Sequence, residues 1–223
     1  MEDHKAAVVM AIKELKKKEK EMKRNYIMES AQKLFASRDY DEVSMNSIAK
    51  EVGVNKATLY YYFKNKEALY FAIALRGLRI LKHMVITEME KGKTGYEKFT
   101  LFGAAINNFY SKYPDCKMML YSQQSTKFDV DNINASEEYK EVMGILHELM
   151  VILCNSIQDG VNDSTIREDV DPLEAAILVS LIYESMSNMN FLYKYMLKKR
   201  GINEQKFGMD VRDLIHYMLV NKS

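Results

Sequence analysis

Along this chain apolar positions recur every three or four residues, the spacing of one helix face, and the pattern reads as helix nearly everywhere. Residues 5–37 form one long charged pattern. Its C-terminal part carries Ile27, Ala31, Leu34 and Phe35 at i, i+4, i+7 and i+8, a stripe that faces a core. Its N-terminal part carries a weaker series, Ile12, Leu15, Met22 and Tyr26, interrupted by Glu19, and is expected to fray. A polar break at residues 38–42 follows, and then Ser44, a hydroxyl before periodic apolar residues, predicts a helix start. Met45, Ile48, Ala49 and Val52 give that helix one buried face, and Gly53 ends it. Asn55 is placed to cap a helix over 56–63, and Asn65 one over 66–90. Later helices are predicted at 96–112, 114–123, 136–158, from Pro172 to about residue 200, and at 204–220. The expected fold class is all-α with about nine helices.

Composition sharpens this reading. Only 9 glycines and 2 prolines among 223 residues leave little material for turns, which favours long helices. No run of apolar residues is long enough for a membrane span, and the N-terminus lacks the apolar core of a signal peptide. Cys116 and Cys154 are isolated and read as reduced thiols, so a cytoplasmic protein is expected. The net charge of +1 is unevenly spread. Residues 1–66 carry 14 Lys and Arg against 10 Asp and Glu, and the rest carries 18 against 21. A basic head on an acidic body suits an anionic partner at one end.

Residues 44–69, SMNSIAKEVGVNKATLYYYFKNKEAL, are two short capped helices joined by a glycine turn, with a helix in front: the order of a helix-turn-helix. At about 100° per residue, Leu59 and Phe63 share one face and should pack inward, while Ala57 and Tyr61 point away. Lys56 and Tyr60 lie on one flank, Thr58 and Tyr62 on the other. Tyrosine hydroxyls reach phosphates or base edges, and Ala57 permits close approach of the backbone. Lys66, in the first turn of the next helix, opposes the helix dipole, which suits holding a phosphate. The candidate DNA-binding residues are therefore Ser44, Met45, Asn55, Lys56, Ala57, Thr58, Tyr60, Tyr61, Tyr62 and Lys66.

These residues resemble the DNA-binding domain of the TetR/AcrR family of regulators. The family pattern I-A-x-x-x-G-V followed by T-L-Y-x-Y-F-x-x-K-E-x-L is met by Ile48-Ala49, Gly53-Val54, Thr58-Leu59-Tyr60, Tyr62-Phe63, Lys66-Glu67 and Leu69. Upstream, Ile27, Ala31, Leu34-Phe35 and Tyr40 fit as well, so the resemblance covers about residues 24–72. Ala57 stands where glycine or proline is frequent, which bears on the bases read rather than on the fold. Residues 160–172 resemble the loop before the family's eighth helix. By the same resemblance, Lys16–Lys18, Lys20, Lys23 and Arg24 are candidates for added DNA contacts, against an equal expectation of a solvated face.

The resemblance implies three parts: a basic helical extension (1–23), the helix-turn-helix domain (24–70), and a larger helical domain for effector binding and dimerisation (71–223). The stretch 175–183 is apolar almost all round and needs cover from more than one side, which suits a second chain. Candidate dimer-interface residues are Ile177, Leu181, Phe191, Leu214 and Met218. Residues of the kind that line the family's effector pocket are Phe99, Phe102, Phe109, Met119, Tyr183 and Met186, with Asn190 to orient a ligand. The long helix from Lys66 joins the parts and is the expected lever.

The implied partners are a double-stranded, palindromic DNA operator, a small hydrophobic effector and a second copy of the chain, with no membrane. Repression relieved by the effector is the expected function. Activation by a member of the same family, or small-molecule binding without an operator, are the alternatives. No nucleotide-binding, hydrolase or metal motif is present, so no enzyme activity, cofactor, catalytic residue or metal is expected.

Overall fold

The computed structural model describes residues 2–116, 136–187 and 189–220. Among them there is no β-strand, and nine α-helices are delimited. These are α1 (Glu2–Ser37), α2 (Met45–Val52), α3 (Lys56–Tyr62), α4 (Lys66–Met89), α5 (Gly95–Lys112), α6 (Glu137–Asn162), α7 (Pro172–Ser187), α8 (Phe191–Lys199) and α9 (Glu204–Leu219). A 3₁₀ turn, Tyr40–Glu42, occupies the polar break after α1. The chain divides into two compact units. One comprises Met1–Gly77 and the described part of Tyr113–Val142; the other comprises Leu78–Lys112 and Met143–Ser223. The first unit therefore runs beyond residue 70 and takes in residues from later in the chain.

Short polar side chains decide where most helices begin. Each spends an oxygen on a backbone N–H that the first helical turn would leave without a partner. Asn55 accepts from Thr58 N–H at 2.7 Å, Asn65 from Ala68 N–H at 2.8 Å, and Asn203 from Lys206 N–H at 2.8 Å. Asp171 accepts from the N–H groups of Leu173 and Glu174, each at 2.9 Å, beside Pro172 at the first position of α7. The same device overturns one expectation. The helix expected from Pro172 to about residue 200 is two helices, because Asn190 accepts from Tyr193 N–H at 3.0 Å and starts α8 anew. Helix α1 is continuous from Glu2 to Ser37.

In the first unit, Ile27, Met28, Ala31, Leu34 and Phe35 of α1 are buried, as are Ile48, Ala49 and Val52 of α2. Helix α1 packs on α2, and α2 on α3. Phe35, Tyr40 and Tyr70 form an aromatic cluster with ring centroids 5.0–6.0 Å apart, and Arg76 donates to Gln32 at 2.8 Å.

The core of the second unit gathers Phe99, Leu153, Ile157, Ile166, Ala176, Val179, Ile215 and Leu219. Helices α5 and α6 meet through glycine. A Cβ built on Gly95 would lie 1.9 Å from the backbone nitrogen of Gly160, so any side chain there must push the helices apart. The turn after α6 caps α5: Asp163 accepts from Gly95 N–H at 2.7 Å, and Thr165 from Tyr96 N–H at 3.2 Å. Hydrogen bonds from the Thr165 hydroxyl and then from Gly95 hold the Asp163 carboxyl below the usual carboxylate range. Nearby, Tyr96 Oη lies 2.6 Å from His216 Nδ1, and Arg167 N–H donates to the Leu219 carbonyl at 2.9 Å.

Two glycines should therefore respond differently to alanine. Gly95→Ala is expected to lose at least ~2 kcal/mol through forced overpacking. Gly53→Ala meets no atom within 4 Å and suffers only its left-handed φ of 74°, about 1 kcal/mol. Urea denaturation with an unchanged m-value would check the order; Gly95→Ala costing no more than Gly53→Ala would contradict the close approach.

Candidate nucleic-acid interface

The interface is built outward from α2. Ser44 and Ser47 cap reciprocally: Ser47 N–H donates to Ser44 Oγ at 3.1 Å, and Ser44 N–H to Ser47 Oγ at 3.0 Å. Gly53 closes the helix in the left-handed region (φ 74°, ψ 29°), and Val54 N–H returns to the Ala49 carbonyl at 3.0 Å. The chain is thus reversed within a few residues, and Asn55 starts α3 in a new direction.

Helix α3 has two unlike faces. Leu59 is fully buried, and so is Phe63 just past the helix end. Tyr61 is 68% exposed, Tyr60, Lys56 and Ala57 are exposed, and Thr58 and Tyr62 are half-buried. Tyr61 and Tyr62 meet edge to face at 5.1 Å, and Lys56 Nζ lies 5.8 Å from the Tyr60 ring centroid. The result is a rigid, exposed, basic-aromatic surface with hydroxyl donors, the chemistry that meets phosphate oxygens and base edges.

Helix α1 reaches this surface from the side. The Arg24 guanidinium lies 4.8 Å from the centroid of Phe63, and Lys20 Nζ lies 5.0 Å from that of Tyr61. Sequence reasoning did not find these contacts. Helical phase hinted at them, because Lys20, Arg24, Ile27 and Ala31 fall on one side of α1.

Two expected DNA ligands are placed differently. Met45 is only 8% exposed and belongs to the core face of α2, so its side chain is withheld from a partner. That follows from its position one turn before Ile48 and Ala49. Lys66 turns back on the domain: Nζ donates to the Tyr40 carbonyl at 2.7 Å and lies 4.0 Å from the Tyr40 ring centroid. It ties the start of α4 to the 3₁₀ turn before it serves anything outside. Ser44 and Asn55 are exposed, with their side-chain oxygens engaged as caps.

The expected effector residues divide. Phe99 belongs to the second unit's core, with Phe102 and Tyr183 packed against it and half-buried, and burial pushes the Tyr183 phenol up. Phe109 is fully buried in that unit, and Met186 is half-buried. Asn190 is exposed and caps α8, so its carbonyl oxygen is already committed. Met119 lies outside the described residues. The expected interface residues Ile177, Leu181, Phe191, Leu214 and Met218 all stand exposed in the single chain, Phe191 at 84%. Among the described residues there is no cluster of metal-ligating side chains, and no helix is long and apolar enough to cross a membrane.

Burial gives Tyr40 a measurable signature. Desolvation, assisted by the charges of Glu67, Tyr70 and Asp41, pushes its phenol up to about 12. The unfolded chain releases this proton near pH 10 while the folded one keeps it, so its contribution to stability is complete below pH 10 and is lost on rising towards pH 12. Tyr40→Phe is expected to flatten the fall in urea midpoint between pH 10 and pH 12; an unchanged fall would contradict it.

Comparison with known proteins supplies the wider context. Residues 27–73 match the family described as bacterial regulatory proteins, tetR family. An uncharacterized HTH-type transcriptional regulator of Mycobacterium tuberculosis is 38% identical over 69 residues, 31% of this chain and 34% of that protein. An HTH-type transcriptional regulator of Staphylococcus aureus is 40% identical over 73 residues, 33% of this chain and 37% of that protein. The match thus spans about a third of the length of these relatives. Beyond it the likeness is one of fold. The ketosteroid transcriptional regulator of Mycobacterium tuberculosis aligns with a TM-score of 0.70 at 13% identity, over 89% of this chain and 95% of that one. The regulator FadR of Bacillus subtilis, solved with stearoyl-CoA, aligns with a TM-score of 0.67 at 17% identity, over 86% and 97%. AibR, solved with isovaleryl coenzyme A and operator DNA, aligns with a TM-score of 0.64 at 20% identity, over 75% and 87%.

Proposed function

We propose that this chain, whose residues 27–73 match the family described as bacterial regulatory proteins, tetR family, is a cytoplasmic, homodimeric repressor that holds a palindromic operator and releases it on binding a small hydrophobic effector. The observation that carries the reading is the division of α3: Leu59 and the adjoining Phe63 anchor it while Lys56, Tyr60 and Tyr61 remain outside. A two-fold axis would set two such helices ~34–36 Å apart, one turn of DNA, on a symmetric site. The exposed apolar side chains of α7, α8 and α9 supply a surface for that axis. A helix pair that leaves Leu181, Leu214 and Met218 in water gains from covering them.

The effector acts by linkage. It lowers DNA affinity by as much as it prefers the form whose two α3 helices are wrongly spaced. Helix α4 contributes residues to both compact units and is the element through which the two can be coupled. Acyl-coenzyme A thioesters are the first effectors to try, since two solved relatives of this fold hold isovaleryl and stearoyl coenzyme A. Phe102, Tyr183 and Met186, half-buried in the second unit, suit an acyl chain.

The test is to select duplexes from a random DNA pool with the full chain and titrate the selected duplex by fluorescence anisotropy. Tyr60→Ala and Tyr61→Ala are each expected to weaken binding at least tenfold, with the thermal midpoint within about 2 °C of the parent. Normal binding by both would overturn the assignment of α3. Leu181→Glu with Leu214→Glu should convert a dimer to a monomer in sedimentation equilibrium and abolish operator binding; a persisting dimer would exclude this surface. Acyl-coenzyme A thioesters of increasing chain length, added to the complex, should release the duplex.

A further inference from the structure

Three helices of the second unit turn large side chains inward along part of their length and then stop doing so. Phe99 of α5, Ala176 and Val179 of α7, and Ile215 and Leu219 of α9 meet in the core. At about 100° per residue, Gly103 falls within about 40° of Phe99, Tyr183 within about 40° of Ala176 and Val179, and Gly208 within about 20° of Ile215 and Leu219. These positions continue the core lines by one or two turns, and two of them carry no side chain.

Neither glycine serves close packing or an unusual backbone. Both are half-buried inside regular helix, and neither has a positive φ. Among the described residues, a Cβ on Gly103 would first meet the Tyr183 hydroxyl at 4.0 Å, and one on Gly208 the Met186 methyl at 4.0 Å. Alanine would fit at either position and would hold a helix better. The glycines thus leave room beside Tyr183 and Met186, one turn apart on α7.

Polar groups converge on that room. The Tyr183 hydroxyl is half-buried, and among the described residues it has no hydrogen-bond partner. A buried phenol normally finds one. Arg212 follows Gly208 by one turn of α9, exposed and paired with its neighbour Asp213 at 3.6 Å. Burial pushes the Tyr96 and Tyr183 phenols up, and the Arg212 charge, the next cause for both, pulls them back, so its guanidinium acts on both side chains. Tyr96 itself is engaged by His216 at 2.6 Å. One uncommitted phenol and one guanidinium remain beside an apolar core.

We propose that Gly103, Tyr183, Met186, Gly208 and Arg212 form a binding site for an aliphatic carboxylate, its alkyl chain laid against the two glycines and Met186 and its carboxylate held between the Tyr183 hydroxyl and the Arg212 guanidinium. A forked guanidinium and a phenol donor match the two oxygens of a carboxylate, whereas a neutral thioester carbonyl would leave the charge unused. The inference rests on the reading of the second unit as effector-binding, and it narrows the effector to an acid. The surface assigned to dimerisation lies elsewhere: Leu181 and Leu214 are about 160° around their helices from Tyr183 and Arg212.

The experiment is isothermal titration calorimetry on the full chain with three probes of one chain length: octanoate, octan-1-ol and octanoyl coenzyme A. The parent is expected to bind octanoate about tenfold or more tightly than octan-1-ol. Tyr183→Phe and Arg212→Gln should each weaken octanoate by about tenfold or more, and Arg212→Gln should leave octan-1-ol within about twofold. Gly208→Leu should abolish octanoate binding, and Gly208→Ala should raise the thermal midpoint; a fall would remove the room the site needs. Parent-like octanoate binding by Tyr183→Phe and Arg212→Gln, or by Gly208→Leu, would overturn the site. So would a parent that binds octanoyl coenzyme A but not octanoate, or none of the three. Octanoate bound as expected without release of the selected duplex would keep the site and overturn the effector reading.

Discussion

Burial of Leu59 and Phe63 is the contact on which the rest of the interface depends. In a seven-residue helix one buried side chain, with a second buried just past the helix end, settles the rotation of all the others. With those two inside the first unit, Tyr61 has nowhere to go but outward, and Lys56 and Tyr60 follow on its flank. The helix is too short to hold itself together by propensity. It exists because Asn55 caps it and because Phe63, with Arg24 over its ring, locks the chain as it leaves. An exposed row of tyrosines, costly for a protein with no partner, is thereby displayed on a rigid base.

The polar residues around this contact work by removing alternatives. Ser44 and Ser47, Asn55 and Asn65 each occupy a backbone donor that would otherwise be free to pair elsewhere, so the positions at which α2, α3 and α4 begin are not negotiable. Lys66 adds a tie of a different kind. Its ammonium satisfies the Tyr40 carbonyl and covers the Tyr40 ring, fastening the first turn of α4 to the segment that joins α1 to α2. A residue expected to hold a phosphate thus has a structural occupation of its own.

The second unit is governed by the opposite principle, an absence of side chain. Gly95 and Gly160 let two helices touch backbone to backbone, and Asp163 and Thr165 use that closeness to cap α5 from the following turn. Around this fixed point Phe99, Ile157 and Ile215 fill a core, while the outward sides of α7, α8 and α9 keep Leu181, Phe191 and Leu214 in contact with water. A unit so well closed on one side and so apolar on the other has a surface suited to symmetric pairing.

Much of the fold was legible in one dimension because its signals are local. Capping acts over three residues and helical phase over four, so Ser44, Gly53 and Asn55 announced α2 and α3, and the inward turn of Leu59 followed from counting. Where reasoning from sequence went astray, the deciding partner lay far off in the chain or two local rules competed. Asn190 looked like a polar residue inside an apolar helix, yet its carbonyl oxygen found the N–H three residues ahead and divided that helix in two. Met45 was expected both in the buried stripe of α2 and among the DNA contacts, and packing placed it in the core. The alignment of Lys20 with Tyr61, and the engagement of Lys66 by Tyr40, required separate stretches of chain to arrive at the same place. Periodicity within the sequence determined which residues share a face. Only packing between helices decided what each face meets, because that depends on distances no single segment encodes.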